Sequence, residues 1–126
     1  MINELSKQIH ENAKSKGFYD KEKNIGEMLA LIHSEVSEAL EADRKNNQAD
    51  LELFLMELAA NKIHGNEYSF NAAFKIQIKN TFADELADIM IRVMDLAAYK
   101  GIDLERHIDL KMKYNAMREH KHGKAY

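Results

Sequence analysis

The sequence predicts an all-α protein. Its 126 residues contain no proline, no tryptophan and only five glycines, so little in the chain interrupts a helix. Apolar residues recur at steps of three and four over most of the length, which is the spacing of one helix face. A chain of this size buries about two thirds of its unfolded surface as a single domain. We therefore expect one domain, residues 1–126, built as a bundle of four to five helices.

Two predicted helices occupy the N-terminal third of the chain. The first covers about residues 2–16 and ends at Gly17, a residue type that favours helix ends. A loop over residues 18–24 then begins with two aromatic side chains. The second helix covers about residues 25–45. Its main apolar stripe consists of Leu29, Ile32, Val36 and Leu40.

The remaining helices are separated by glycines. A third helix covers about residues 50–63 and breaks at Gly65. Ser69 follows as a good N-cap for the next helical stretch, which continues almost to Gly101. A last helix covers about residues 103–120, and a polar tail follows it.

The stretch between Ser69 and Gly101 allows more than one interpretation. Its apolar pattern fits one long helix or two helices joined near residues 80–81. Alternation over residues 74–78 also permits a strand, but the helical pattern on both sides favours a helix.

Composition excludes several classes of function. The absence of cysteine rules out disulfides, thiolate metal sites and a thiol nucleophile. A formal net charge of −3 gives no general basic surface for nucleic acid. No apolar run approaches the length of a membrane span, and residues 1–4 do not begin a signal peptide. We expect a cytoplasmic protein with neither a nucleic-acid nor a membrane partner.

Two pairs of carboxylates are the most informative feature of the sequence. Glu35 and Glu38 form the first pair, and Glu85 and Asp88 form the second. Residues three apart lie on one helix face, so each pair can bind one ligand from one side. At about 100° per residue, the first pair shares a partly apolar sector with Leu31. Four such charges in a partly buried site need a counter-charge.

The second pair also lies against apolar residues. Glu85 falls about 40° from Ile89 on a helical wheel, inside the apolar arc, and Asp88 lies at its border. The alternative is that both pairs are exposed decoration, with Arg92 neutralising Asp88 or Glu85 as a helical ion pair. Neither pair has a histidine at the spacing of di-iron bundles. Oxygen ligands without imidazole or thiolate select Mg²⁺, with Mn²⁺ as a second choice.

The C-terminal segment is basic, unlike the rest of the chain. Lys111, Asn115 and Arg118 are spaced by four and three residues, so one helical face presents two cations and an amide. Such a face can bind phosphate oxygens, with arginine binding them bidentately. The alternative is that these cations merely complement the negative end of a helix.

Taken in order, these motifs resemble the MazG-like all-α nucleoside triphosphate pyrophosphohydrolase superfamily, in its small single-domain form. Ser34-Glu35-Val36-Ser37-Glu38 resembles its Glu-Glu-x-x-Glu signature, and Glu85-Leu86-Ala87-Asp88 its Glu-x-x-Asp signature. The basic segment over residues 111–118 resembles its Lys-x-x-x-Asn-x-x-Arg ending, and residues 9–19 resemble the usual lead-in. Two departures are Ser34, where the signature has a glutamate, and a possible extra helical insertion around residues 47–81.

The resemblance implies Mg²⁺-dependent hydrolysis of (deoxy)nucleoside triphosphates to the monophosphate and pyrophosphate, in nucleotide pool clearance. It assigns the metal to Glu35, Glu38, Glu85 and Asp88. Among these, Glu38 and Glu35 are the catalytic candidates, with Glu38 as general base.

The same resemblance implies a binding role for residues outside the acidic pairs. It assigns the substrate phosphates to Lys111, Asn115 and Arg118, and the base to His10 and Tyr19. It also implies a homodimer or homotetramer. Two other hypotheses stay open: a phosphoribosyl-ATP pyrophosphohydrolase-like enzyme, and a non-catalytic helical dimer with a structural ion site.

Overall fold

A computed structural model describes residues 1–61 and 67–126 of the chain. This part of the molecule contains six α-helices, one short 3₁₀ helix and no strand. The all-α prediction is therefore confirmed, although six helices exceed the four to five expected. The helices are α1 (Ile2–Ser15), α2 (Ile25–Arg44), α3 (Leu51–Asn61), α4 (Glu67–Gln77), α5 (Phe82–Tyr99) and α6 (Leu104–Ala116), followed by the 3₁₀ turn His120–Gly123.

The segment for which the sequence allows one helix or two forms two helices. α4 and α5 separate at residues 80–81, one of the two predicted alternatives, and the strand over residues 74–78 is wrong because α4 runs to Gln77. Asn80 adopts a left-handed conformation with φ of 62°, which ends the helical path. The hydroxyl of Thr81 then accepts a hydrogen bond from the backbone N–H of Asp84. This polar cap starts α5.

Several predicted boundaries shift. α4 begins at Glu67, so Ser69 lies inside its first turn and does not precede it. The predicted break at Gly65 lies outside the described residues, as does the predicted end of the third helix. α6 begins after Asp103, whose carboxylate accepts a hydrogen bond from the backbone N–H of Arg106 at 3.1 Å. It ends at Ala116, four residues before the predicted end.

The chain forms two compact units. The terminal unit consists of Met1–Lys23 and Val93–Tyr126. Within it, α1 packs against α6. The N-terminal ammonium group binds both carboxylate oxygens of Glu105 at 3.0 and 3.1 Å, and the Asn3 amide donates to Asp103 at 2.7 Å. These polar contacts fix the start of α1 beside the start of α6.

The central unit consists of Asn24–Arg92. Within it, α3 packs against α4, and their contact is built from aromatic rings: Phe54 meets Phe70 and Phe74 edge-on, at centroid distances of 5.6 and 6.3 Å. Phe54 is buried. The backbone N–H of Asp50 donates to the Gln77 carbonyl and ties the two ends together. These two helices make up most of the segment 47–81 that the sequence marks as a possible insertion.

The buried face of α2 differs from the predicted one. Met28, Glu35, Ala39 and Ala42 are buried, whereas Leu29, Val36 and Leu40 of the predicted stripe remain 47–50% exposed. Small alanines permit close helix approach, so the chain itself covers the alanine face. No helix in the described residues is long and apolar enough to cross a membrane.

Candidate functional site

Three carboxylates converge in the central unit. Glu35 is supplied by α2, while Glu85 and Asp88 lie one turn apart on α5. One carboxylate oxygen from each residue lies within 4.8 Å of the other two. Glu35 and Glu85 are 7% and 5% exposed, and Asp88 is partly buried. The structure thus brings together three of the four predicted metal ligands.

Crowding makes this cluster costly without a cation. Burial, together with the charges of Glu38, Asp88 and Glu35, raises the pKa of Glu85 to about 7. Burial and the charge of Asp84 raise the pKa of Asp88. Both carboxyl groups are therefore harder to ionise than ordinary ones. A bound cation would remove that penalty.

Glu35 behaves differently because it has a cationic partner. Burial acts to raise its pKa, but hydrogen bonds with Glu38 and from Arg92 outweigh burial and leave the pKa lowered. The Nε of Arg92 donates to Oε1 of Glu35 at 2.6 Å. The alternative interpretation of the sequence pairs Arg92 with Asp88 or Glu85 along its own helix. The pair with Glu35 on α2 forms instead, and it gives this buried carboxylate the counter-charge that it needs.

Glu38 lies at the edge of the cluster. It is exposed and is not among the three carboxylates that approach within 4.8 Å of one another. A hydrogen bond with Glu35 and the charge of that residue raise the pKa of Glu38. The hydroxyl of the neighbouring Ser34 donates to the Leu31 carbonyl of its own helix at 2.7 Å.

A second polar cluster lies in the terminal unit, around Asp95. The Nδ1 of His10 lies 2.8 Å from one Asp95 oxygen, and the Tyr19 hydroxyl donates to the other at 2.6 Å. The Tyr19 ring also packs on His10 and Tyr99, at centroid distances of 4.6 and 5.1 Å. Burial and the hydrogen bond to Asp95 raise the pKa of the Tyr19 phenol. The two predicted base-binding residues therefore lie together.

Sequence reasoning missed the role of Asp95. At about 100° per residue, Asp95 falls outside the apolar arc that contains Ile89 and Val93, so the helical pattern gives no signal for it. Nothing in the spacing of the chain indicates that the partners are His10 and Tyr19.

The basic segment is only partly helical. Lys111 and Asn115 lie on α6, but Arg118 lies beyond its end, so the predicted single helical face is interrupted. The Tyr114 ring lies between two cations, with Lys111 Nζ at 5.1 Å and the Arg118 guanidinium carbon at 5.5 Å from its centroid. The Oδ1 of Asn115 is buried without a hydrogen-bond partner in the described part of the chain. The two predicted cations, Lys111 and Arg118, thus lie near the same ring.

Comparison with known families places these clusters in context. A sequence model of the phosphoribosyl-ATP pyrophosphohydrolase family matches residues 2–110. The chain belongs to this family. The family is part of the MazG-like all-α superfamily, so the predicted resemblance is confirmed at that level. No curated protein and no solved structure matches the chain.

Membership in the phosphoribosyl-ATP pyrophosphohydrolase family indicates a hydrolase that acts on acid anhydrides. Enzymes of this family are typically metal-dependent, and the buried carboxylates supply the oxygen ligands that hard divalent cations prefer. The matched residues include both acidic pairs, His10 and Tyr19. They end before Lys111, so the basic segment has only its own chemistry and the motif resemblance to support its role.

Proposed function

We propose that the protein is a Mg²⁺-dependent pyrophosphohydrolase that converts (deoxy)nucleoside triphosphates to the monophosphate and pyrophosphate, and so clears nucleotide pools. The observation that carries this proposal is the buried set of Glu35, Glu85 and Asp88, whose oxygens lie within 4.8 Å of one another. Buried carboxylates without a cation are unfavourable. Family membership adds the reaction class.

The donor set fits a hard divalent cation. Glu35, Glu85 and Asp88 would hold it, with Glu38 completing the set from the edge. All four supply oxygen, which favours Mg²⁺ and accommodates Mn²⁺. When bound, the cation neutralises phosphate charge and acidifies an attacking water.

Glu38 is the general base of this proposal, and Glu35 assists it. The raised pKa of Glu38 makes this carboxylate a stronger proton acceptor than an ordinary glutamate. Its exposure leaves it open to water. Glu35 holds its charge through Arg92 and, through its hydrogen bond with Glu38, sets the pKa of the base.

The remaining predicted site residues complete the proposal. His10 and Tyr19 would contact the base, since two adjacent aromatic rings, here packed edge to face, can bind a flat ligand by stacking and hydrogen bonding. Lys111, Asn115 and Arg118 would contact phosphate oxygens, and Asn115 would do so through the N–H groups of its side-chain amide.

We also propose that the protein functions as a homodimer or homotetramer. The support is the half-exposed stripe of α2, formed by Leu29, Val36 and Leu40. Apolar residues at this spacing form the usual contact face between helices. A second copy of the chain would cover them.

Pyrophosphate release from a panel of substrates tests the function. The panel contains the ribo- and deoxyribonucleoside triphosphates and phosphoribosyl-ATP, each with and without Mg²⁺. Mg²⁺-dependent release from a triphosphate supports the proposal, while release from phosphoribosyl-ATP alone supports the related enzyme that gives the family its name. No release from any substrate, with a melting temperature unaltered by Mg²⁺, would leave only the non-catalytic helical dimer.

A variant tests the role of the base. Glu38→Gln should lose most of the activity while folding normally, because the exposed side chain keeps its shape and the acidic cluster loses a charge. Glu52→Gln on α3, also exposed, serves as the control. Full activity in Glu38→Gln would show that another group accepts the proton.

A further inference from the structure

Arg92 is held by only part of its guanidinium group. Its Nε donates to Oε1 of Glu35 at 2.6 Å, and this is its one ion pair among the described residues. The two terminal nitrogens make no hydrogen bond within the same part of the chain. The side chain is 40% exposed. Four N–H donors on the terminal nitrogens thus stand free beside the carboxylate cluster.

If Arg92 served only to neutralise the acidic cluster, its terminal N–H groups would be expected to bind the neighbouring carboxylates. Neutralising Glu35 requires one positive charge, and the contact through Nε alone already supplies it. Arg92 also lies four residues after Asp88 on α5, yet it forms no ion pair with that carboxylate. The fork of terminal nitrogens is therefore not consumed by the acids around it.

Anchoring through Nε prepares this fork for an anion. A planar guanidinium binds phosphate through two parallel hydrogen bonds. The contact with Glu35 fixes the side chain before a ligand arrives, which lowers the ordering cost of binding. The ligand with matching chemistry is a phosphoryl group bound next to the same carboxylates.

We propose that Arg92 binds oxygens of the substrate's pyrophosphate linkage through its two terminal nitrogens, while its Nε keeps Glu35 in position. This inference rests on the proposed function, because it takes the acidic cluster as the place where the substrate phosphates bind. It makes Arg92 a substrate-contacting residue in addition to the basic segment at residues 111–118. It also gives a role to the two terminal nitrogens that the contact with Glu35 does not use.

Binding of imidodiphosphate tests the inference. In this pyrophosphate analogue a nitrogen replaces the bridging oxygen, so it lacks the P–O–P bond that the enzyme would cleave. Calorimetry therefore measures binding without the heat of hydrolysis. In the presence of Mg²⁺ we expect Arg92→Gln to weaken binding about 10- to 100-fold, the size of a charge-assisted bidentate contact. Arg92→Lys should weaken it at least about 10-fold, because the ammonium pairs with Glu35 and has no fork.

Two controls separate this role from a structural one. Arg44→Gln removes an equal charge from an exposed position in the same unit and should leave analogue binding unchanged. Mn²⁺ binding without any phosphate should be unchanged or tighter in Arg92→Gln, because a cation beside the site is removed. Arg92→Lys keeps a cation for the buried Glu35, so it carries the test if the glutamine variant does not fold.

The outcomes distinguish the two proposals. Wild-type protein that releases pyrophosphate from a triphosphate, with analogue affinity equal in wild type and Arg92→Lys, overturns the assignment of Arg92 alone. Activity without measurable wild-type binding of the analogue overturns the same assignment. A wild-type protein that neither binds imidodiphosphate nor releases pyrophosphate from any substrate overturns the proposed function and the inference together.

Discussion

Replacing Glu85 with glutamine should stabilise the metal-free protein at high pH. Glu85 is 5% exposed, and burial with its neighbouring acids raises its pKa from 4.5 to about 7. Ionising this group therefore costs more in the folded than in the unfolded chain. Glutamine has nearly the same shape and no charge, so it removes that cost.

The magnitude follows from the pKa difference. A raised pKa of 7 against 4.5 corresponds to about 3 kcal/mol when both states are ionised. Because folding raises the pKa of Glu85, the contribution of this group to the free energy of unfolding is fully present below pH 4.5 and is lost as pH rises through 7. At pH 8 the stabilisation by Glu85→Gln should approach about 3 kcal/mol. At pH 5 it should fall to about 1 kcal/mol, because Glu85 is then protonated in the folded chain.

Urea unfolding in EDTA at the two pH values measures this difference. Glu52→Gln provides a matched control, since it removes one carboxylate from an exposed position of the same unit and should change stability little at either pH. A Glu85→Gln variant that is less stable than wild type at pH 8 would refute the idea that Glu85 carries an uncompensated charge. Equal stabilisation at pH 5 and pH 8 would show that Glu85 does not change its protonation state between these pH values in the folded chain.

Three further predictions follow from other contacts. Mg²⁺ at about 100 times its dissociation constant should stabilise the wild-type protein by about 2.7 kcal/mol, measured as a rise in melting temperature; an equal rise in Asp88→Asn would show that the cation binds elsewhere. Tyr19→Phe should cost about 2 kcal/mol in urea unfolding, because the charged Asp95 loses a hydrogen bond of 2.6 Å; unchanged stability would mean that this bond contributes nothing. Phe54→Ala should cost about 3 kcal/mol by removing the buried ring between α3 and α4; a cost below about 1 kcal/mol would show that the two helices do not depend on it.

The helical architecture could be predicted from the sequence because it depends on local signals. Spacing of apolar residues gives the helices, but it leaves open whether α4 and α5 are one helix or two, which the Thr81 cap decides in the structure. The buried face of α2 could not be predicted the same way. Leu29 and Val36 are more hydrophobic than Ala39, but the chain buries the alanine, because backbone approach and not hydrophobicity alone decides which face packs.

In the candidate site, too, local spacing could be predicted from the sequence, whereas contacts between helices could not. Pairing of Glu85 with Asp88 follows from a spacing of three on one helix. Convergence with Glu35 requires α2 and α5 to bring their acids together, which no local pattern specifies. Arg92 shows the limit most clearly: its spacing allows an ion pair with Asp88 or Glu85 on its own helix, while its partner is Glu35, 57 residues away.

The most direct test of the function is Mg²⁺-dependent pyrophosphate release, compared between wild type and Glu85→Gln. This variant should fold at least as stably as wild type, so lost activity cannot be attributed to unfolding. We expect wild-type protein to release pyrophosphate from a nucleoside triphosphate only when Mg²⁺ is present, and Glu85→Gln to lose most of that activity. Equal release by both proteins, or release that does not depend on a divalent cation, would contradict the assignment of the buried carboxylates as the metal site of a pyrophosphohydrolase.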